Sequence, residues 1–135
     1  MEWKGKWIGP AQDMGDVCPV FVREFGKGDF PGKEIASVQL QVTALGVYEA
    51  QLNGKRFGDY VLAPGWTSYE TRHQYQCYDI TELAAEQNRL EITVGKGWYR
   101  SPVPGWITEE GKAQLAAIPA GLIAEIKITF TDATT

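Results

Sequence analysis

The chain has 135 residues, a net charge of −4 and 44% hydrophobic residues, which fits a single domain, 1–135, burying roughly 65–70% of its unfolded surface. That charge gives no electrostatic footing for nucleic acid or an anionic membrane, and no apolar run approaches the ~20 residues that span a bilayer. Five Trp and six Tyr are many for this length and need an explanation.

The N-terminus, Met1-Glu2-Trp3-Lys4-Gly5-Lys6-Trp7, lacks the basic-then-apolar order of a signal peptide, so a cytoplasmic chain is expected. Residues 1–16 read as an irregular leader or short edge strand whose tryptophans pack onto something. Val17 to Phe25 reads as a strand, with Pro19 marking an edge or a bulge. Three glycines and Pro31 make 26–32 a loop.

Val38, Leu40, Val42 and Ala44 alternate with Gln39, Gln41 and Thr43, the clearest half-buried strand in the chain. Tyr48, Ala50 and Leu52 continue that period into Asn53-Gly54. This pair supplies the positive φ angles of a type I′ turn and predicts a hairpin, with Lys55-Arg56-Phe57 starting the return strand and Gly58 a bulge. Pro64 and Gly65 then break the ladder and put Trp66 and Tyr69 on a loop. Arg72 to Tyr78 reads as a further strand.

Cys18 and Cys77 each sit in a strand-like run and are expected to be reduced core thiols. The single helical signal is Asp79 with Glu82, a capping-box spacing, propagated by Leu83-Ala84-Ala85 and ended by Asn88 in the left-handed region. Leu90, Ile92 and Val94 resume the strand period, and Trp98-Tyr99-Arg100 follow as a second aromatic cluster. Prolines and glycines make 101–121 mostly loop. Leu122 to Thr131 is the last strand. Short strands, turns and one short helical turn predict an all-β fold, an antiparallel β-sandwich.

Chemistry on such a fold lives in specific sites. Glycoside cleavage usually takes two carboxylates; the candidates are Asp59, Glu70, Asp79, Glu82, Glu109 and Glu110. Capping accounts for Asp79 and Glu82, and Glu109-Glu110 fall in a solvated loop. His73 is the single histidine, so neither a histidine metal cluster nor a triad is expected, and it reads as a packed strand residue. The sharper pattern is aromatic: Trp66 and Tyr69 on one loop, and Trp98, Tyr99 and Trp106 on another. Sugars stack their C–H faces on such rings, while domain interfaces use the same residues.

Several stretches occur in a telling order: Trp7-Ile8-Gly9-Pro10, Phe21-Val22-Arg23-Glu24-Phe25, Thr43-Ala44-Leu45-Gly46-Val47-Tyr48-Glu49 and Leu52-Asn53-Gly54-Lys55-Arg56-Phe57-Gly58-Asp59. Leu62-Ala63-Pro64-Gly65-Trp66-Thr67-Ser68-Tyr69, Tyr75-Gln76-Cys77-Tyr78-Asp79-Ile80-Thr81 and Gly97-Trp98-Tyr99-Arg100 follow. Together they resemble the N-terminal β-sandwich domain of bacterial α-L-rhamnosidases of glycoside hydrolase family seventy-eight.

The resemblance implies a galactose-binding-like jelly roll that helps recognise substrate. It places catalysis in a separate (α/α)6 barrel, where an acid and a base perform inverting hydrolysis, and makes this chain an N-terminal piece of a larger glycosidase. Some relatives of the domain bind L-rhamnose with calcium; no clustered Asp/Asn signature stands near the aromatic loops, and no cofactor is assigned.

The reading is a non-catalytic accessory domain of an α-L-rhamnosidase. Asn53, Asp59, Arg72 and Arg100 would be polar contacts, and Trp66, Tyr69, Trp98 and Tyr99 the stacking platform. The alternatives are a structural domain that docks the catalytic domain, and a sugar-binding jelly roll of another glycosidase. Expected partners are an L-rhamnose-containing glycan and the parent enzyme's other domains. In the resembling family a further strand follows a turn like Asp132-Ala133, so self-association or fraying of the C-terminal strand is expected when the piece is alone.

Overall fold

The computed structural model describes residues 2–101 and 108–135. Among the described residues seven strands form two antiparallel sheets: β1 (Val20–Gly26), β2 (Ile35–Leu45), β3 (Val47–Leu52), β4 (Lys55–Arg56), β5 (Gln76–Asp79), β6 (Gln87–Gly95) and β7 (Gly121–Phe130). One sheet runs β1-β6-β3-β4 and the other β5-β2-β7. Their inner faces meet to give the expected all-β sandwich.

The period-2 alternation explains the core. Val38, Leu40, Val42 and Ala44 of β2 point inward and oppose Tyr48, Ala50 and Leu52 of β3 and Leu90, Ile92 and Val94 of β6. Val38, Leu40, Val42, Leu52 and Val94 have no exposed surface at all. Each such side chain contributes about 1.5–3 kcal/mol of burial. At the β3–β4 turn, Asn53 (φ 53) and Gly54 (φ 76) both take positive φ, as the type I′ reading requires.

Several expectations are corrected. The first strand begins at Val20 rather than Val17, and Pro19 precedes it, its carbonyl accepting from Val94 N–H at 3.0 Å. The Arg72–Tyr78 strand shrinks to Gln76–Asp79, with the polar Gln76 facing inward. Gly58 (φ 81) lies in the irregular chain after β4 rather than in a strand bulge. Cys18 and Cys77 are free but exposed, because each falls on the outward side of its segment.

The helical content is also larger than one turn. Short 3-10 turns cover Lys27–Asp29 and Thr81–Leu83, and α1 (Gly97–Arg100) and α2 (Glu109–Ala116) are α-helices. Asp79 caps Thr81, accepting from its N–H at 3.0 Å and its hydroxyl at 2.6 Å, and the box with Glu82 does not form. Asn88 is extended at the start of β6 and ties back to Ala85, donating to its carbonyl and accepting from its N–H, both at 2.8 Å. Helix α2 replaces part of the loop expected over 101–121; Thr108 caps it, accepting from Gly111 N–H at 3.2 Å, and Glu109 and Glu110 occupy its favourable first turn. Residues 101, 108 and 117–120 are irregular as expected, and 102–107, with Trp106, lie outside the described residues. Among the described residues no helix is long and apolar enough to cross a membrane.

The leader lies across the open side of the β5-β2-β7 sheet. Ile8 bridges Leu122 of β7 through two backbone bonds of 2.8 and 2.9 Å. The Lys4 and Gly5 N–H groups both donate to Glu125 Oε1. Trp3 packs edge-on against Tyr75 and Trp7 against His73, so the first tryptophans do pack, onto the irregular segment that leads into β5.

Candidate functional site

The loop after β4 is pinned before it carries its aromatics. Tyr48 N–H donates to Ala63 O at 2.7 Å, Gly65 N–H to Leu62 O at 3.0 Å, and Gln76 Nε2 to Pro64 O at 3.4 Å. Beyond Trp66 the chain braces itself. Thr67 Oγ1 donates to Arg72 O at 2.8 Å, Thr71 and Arg72 N–H donate to Ser68 O, and the Tyr69 hydroxyl donates to Gly65 O at 3.3 Å. Such closure makes the loop a fixed mount rather than a tether.

The second mount is α1, which follows β6 directly. Its first residue, Gly97, has φ 51, and a Cβ there would stand 2.7 Å from Val47 Cγ1. Only glycine lets the helix turn this closely over the start of β3. Trp98 and Tyr99 are thereby turned toward the 62–72 loop.

The two mounts meet. Trp66 and Trp98 lie parallel, with an interplanar angle of 8° and centroids 6.3 Å apart, an offset stack. Tyr69 stacks on His73 at 5.6 Å and meets Tyr99 edge-on at 5.1 Å, and Trp7 of the leader closes on His73 at 5.9 Å. The group divides into an inner set, half-buried Tyr69, His73 and Tyr99, and an outer set. Trp66 is 65% exposed, Trp7 45% and Trp98 38%. Burial raises the Tyr69 hydroxyl above its ordinary range, so it stays a neutral donor.

The four predicted platform residues thus pair across the two mounts, Trp66 with Trp98 and Tyr69 with Tyr99. The predicted polar residues are not gathered in the same way. Asn53 stands at the far end of β3, roughly 20 Å of strand from the Gly46–Val47 start, and its amide is spent on the fold. Its Oδ1 accepts from Arg89 N–H at 2.9 Å, and its Nδ2 donates to Asn88 Oδ1 at 3.1 Å and Leu83 O at 3.2 Å. Asp59 is exposed in the turn where Phe57 and Tyr60 pack on Tyr78. Arg72 is exposed on the aromatic loop itself. Arg100 is buried, and its Nη1 donates to Ile118 O at 3.2 Å.

His73 and Trp7 join the cluster without having been assigned to it. The i,i+4 spacing of Tyr69 and His73 was the available signal: a tight turn rather than a strand puts such residues on one side. Trp7 carried no local signal, because its partner is more than sixty residues away. Among the described residues no group of three or more His, Cys, Asp or Glu could hold a metal ion. Of the carboxylates weighed for chemistry, Asp79 holds Thr81 and Glu109 pairs with Lys112 at 2.5 Å.

Residues 33–135 match the family described as the α-L-rhamnosidase N-terminal domain. An α-L-rhamnosidase of Streptomyces avermitilis is 42% identical over 105 residues, covering 77% of this chain and 10% of that protein. The crystal structure of native α-L-rhamnosidase from Aspergillus terreus superposes with a TM-score of 0.76 at 35% identity, covering 95% of this chain and 14% of the other. The Streptomyces avermitilis α-L-rhamnosidase complexed with L-rhamnose superposes with a TM-score of 0.71 at 36% identity, covering 87% and 11%. The chain therefore spans 10% of the length of the curated relative first named.

Proposed function

The chain belongs to the family of α-L-rhamnosidase N-terminal domains, and from that premise we propose that it is a non-catalytic accessory domain that helps hold an L-rhamnose-containing glycan. Cleavage of the glycosidic bond would belong to another part of the parent enzyme, and the remaining domains of that enzyme are its natural partners. The observation that carries this reading is the parallel, solvent-facing pair Trp66 and Trp98, held by two braced mounts. A 6-deoxy sugar has a methyl group and C–H faces suited to indole rings, and exposed Arg72 sits on the same loop to meet hydroxyls.

A second reading has its own support. Tyr60, Val61 and Leu62 are 60%, 77% and 53% exposed and lead directly into Trp66. Such an apolar run suits contact with a neighbouring domain, in which case the aromatics would be docking residues. Titration with L-rhamnose, followed by tryptophan fluorescence, separates the two. Saturable quenching that disappears in Trp98→Ala supports sugar contact. An unchanged spectrum to saturating sugar leaves the docking role.

A further inference from the structure

Arg100 closes α1 and is nine-tenths buried, yet its charge has no carboxylate partner among the ion pairs of the described residues. Nη1 reaches the Ile118 carbonyl, while Nε is wholly buried and has no hydrogen-bond partner among the described residues. A buried charge lacking a counter-charge is costly for a fold to keep. Burial also holds the guanidinium below its ordinary range. The guanidinium fork matches the two oxygens of a carboxylate, a geometry that lysine does not reproduce.

The same side chain lines a cleft of about 330 Å³ between the leader and the Ala116–Ala120 segment. That volume is at the small end of ligand pockets, roughly 300–1,000 Å³, and suits one sugar ring. Gln12 and Asp13 line it as hydrogen-bonding groups, and Pro10, Met14 and Pro119 as apolar wall. Asp13 Oδ1 accepts from Gly15 N–H at 2.9 Å, which fixes that carboxylate in the leader. Asp13 is the one carboxylate among the lining residues of the cleft, and its charge repels a phosphate dianion more than a monoanion that also carries hydroxyls.

We propose that this cleft binds the carboxylate of a uronic acid, with the Arg100 fork on the carboxylate and Gln12 and Asp13 on ring hydroxyls. The site is additional to the Trp66–Trp98 platform, and rests on the carbohydrate reading only for the class of ligand. It gives the domain a means of choosing acidic glycans over neutral ones.

The test is 15N NMR of the whole chain, following Arg100 Nε–H and the indole N–H signals of Trp66 and Trp98. The probes are D-glucuronate, its neutral amide D-glucuronamide, acetate and L-rhamnose. Glucuronate should move the Arg100 signal to saturation, with at least tenfold weaker affinity for acetate and no response to glucuronamide. Arg100→Lys should weaken glucuronate at least tenfold. An unmoved Arg100 signal overturns the proposal, and so does equal affinity for acetate and glucuronate, which would mean a general anion contact. If Arg100→Lys does not fold, the unmodified chain still decides through its probes. Rhamnose acting on the indoles reports the platform separately, so either reading can fail alone.

Discussion

The Tyr48 hydroxyl on β3 donates to Gln76 Oε1 on β5 at 2.8 Å, a buried bond that crosses from one sheet to the other. The other end of the Gln76 amide donates to Pro64 O at 3.4 Å, so one side chain ties both sheets to the base of the aromatic loop. The Tyr78 hydroxyl, 3.0 Å from that of Tyr48, completes the group.

Tyr48→Phe should therefore destabilise the domain by about 1–3 kcal/mol, the cost of leaving a buried amide oxygen unpaired. Urea unfolding measures it. Burial, ahead of the Tyr78 contact, raises the Tyr48 pKa well beyond its ordinary value. A raised folded-state pKa gives stability that is complete below the unfolded value and is lost as pH rises. Stability should fall above about pH 10, more steeply in the parent than in Tyr48→Phe. Equal alkaline slopes would contradict this role.

Gly97→Ala should dislodge α1, since the added methyl meets Val47 Cγ1 at 2.7 Å and the residue must hold φ 51. The stacked indoles should give an exciton couplet in the ultraviolet circular dichroism of the parent. The variant should lose it while keeping its strand signal. Retention of the couplet would show that α1 does not set the Trp98 position.

Rhamnose affinity should be weak, on the order of millimolar, because an open aromatic pair buries little of a ligand. Trp66→Ala should abolish it with little change in stability, since that residue is 65% exposed. Unfolding of both Trp98→Ala and Trp66→Ala would instead make these rings part of the core.

The chain by itself should not hydrolyse an aryl α-L-rhamnoside. Asp79 and Glu109, two of the carboxylates weighed for cleavage, are engaged with Thr81 and Lys112. Release of the aryl group by purified protein, lost on substitution of any one of its acids, would reverse this.

Strand β7 is an edge of its sheet. Leu122 N–H turns outward to Ile8, Phe130 N–H turns outward to Thr134, and Thr131 N–H turns inward to Glu34. Ladder alternation then leaves Ala124, Ile126 and Ile128 with outward backbone groups. Their side chains pack against the core. Concentration-dependent association through this edge is expected in sedimentation, and Ile126→Pro, which removes an outward N–H, should suppress it. A monomer at every concentration would remove the expectation.

The sequence alone determined the strands whose two faces differ. Val38 to Ala44, Tyr48 to Leu52 and Leu90 to Val94 carry an alternation that any sandwich must bury, and Asn53-Gly54 dictates its own turn locally. The aromatic residues of the platform were legible as types on loops. Tertiary structure alone decided what each met. Gln76 faces the core because Tyr48, on another sheet, supplies its hydrogen bond, and no pattern within 72–78 announces that. Helix α2 was hidden because its Gly111 and the neighbouring prolines look like loop, while the deciding Thr108 cap is a single side-chain bond. Arg100 read as an exposed sugar contact from its neighbours Trp98 and Tyr99. One turn of α1 sends it instead beneath the leader, since residues adjacent on a short helix point in different directions. Alternation and turn chemistry act between near neighbours; the union of Trp7, His73, Tyr69 and Tyr99 comes only when the sheets close.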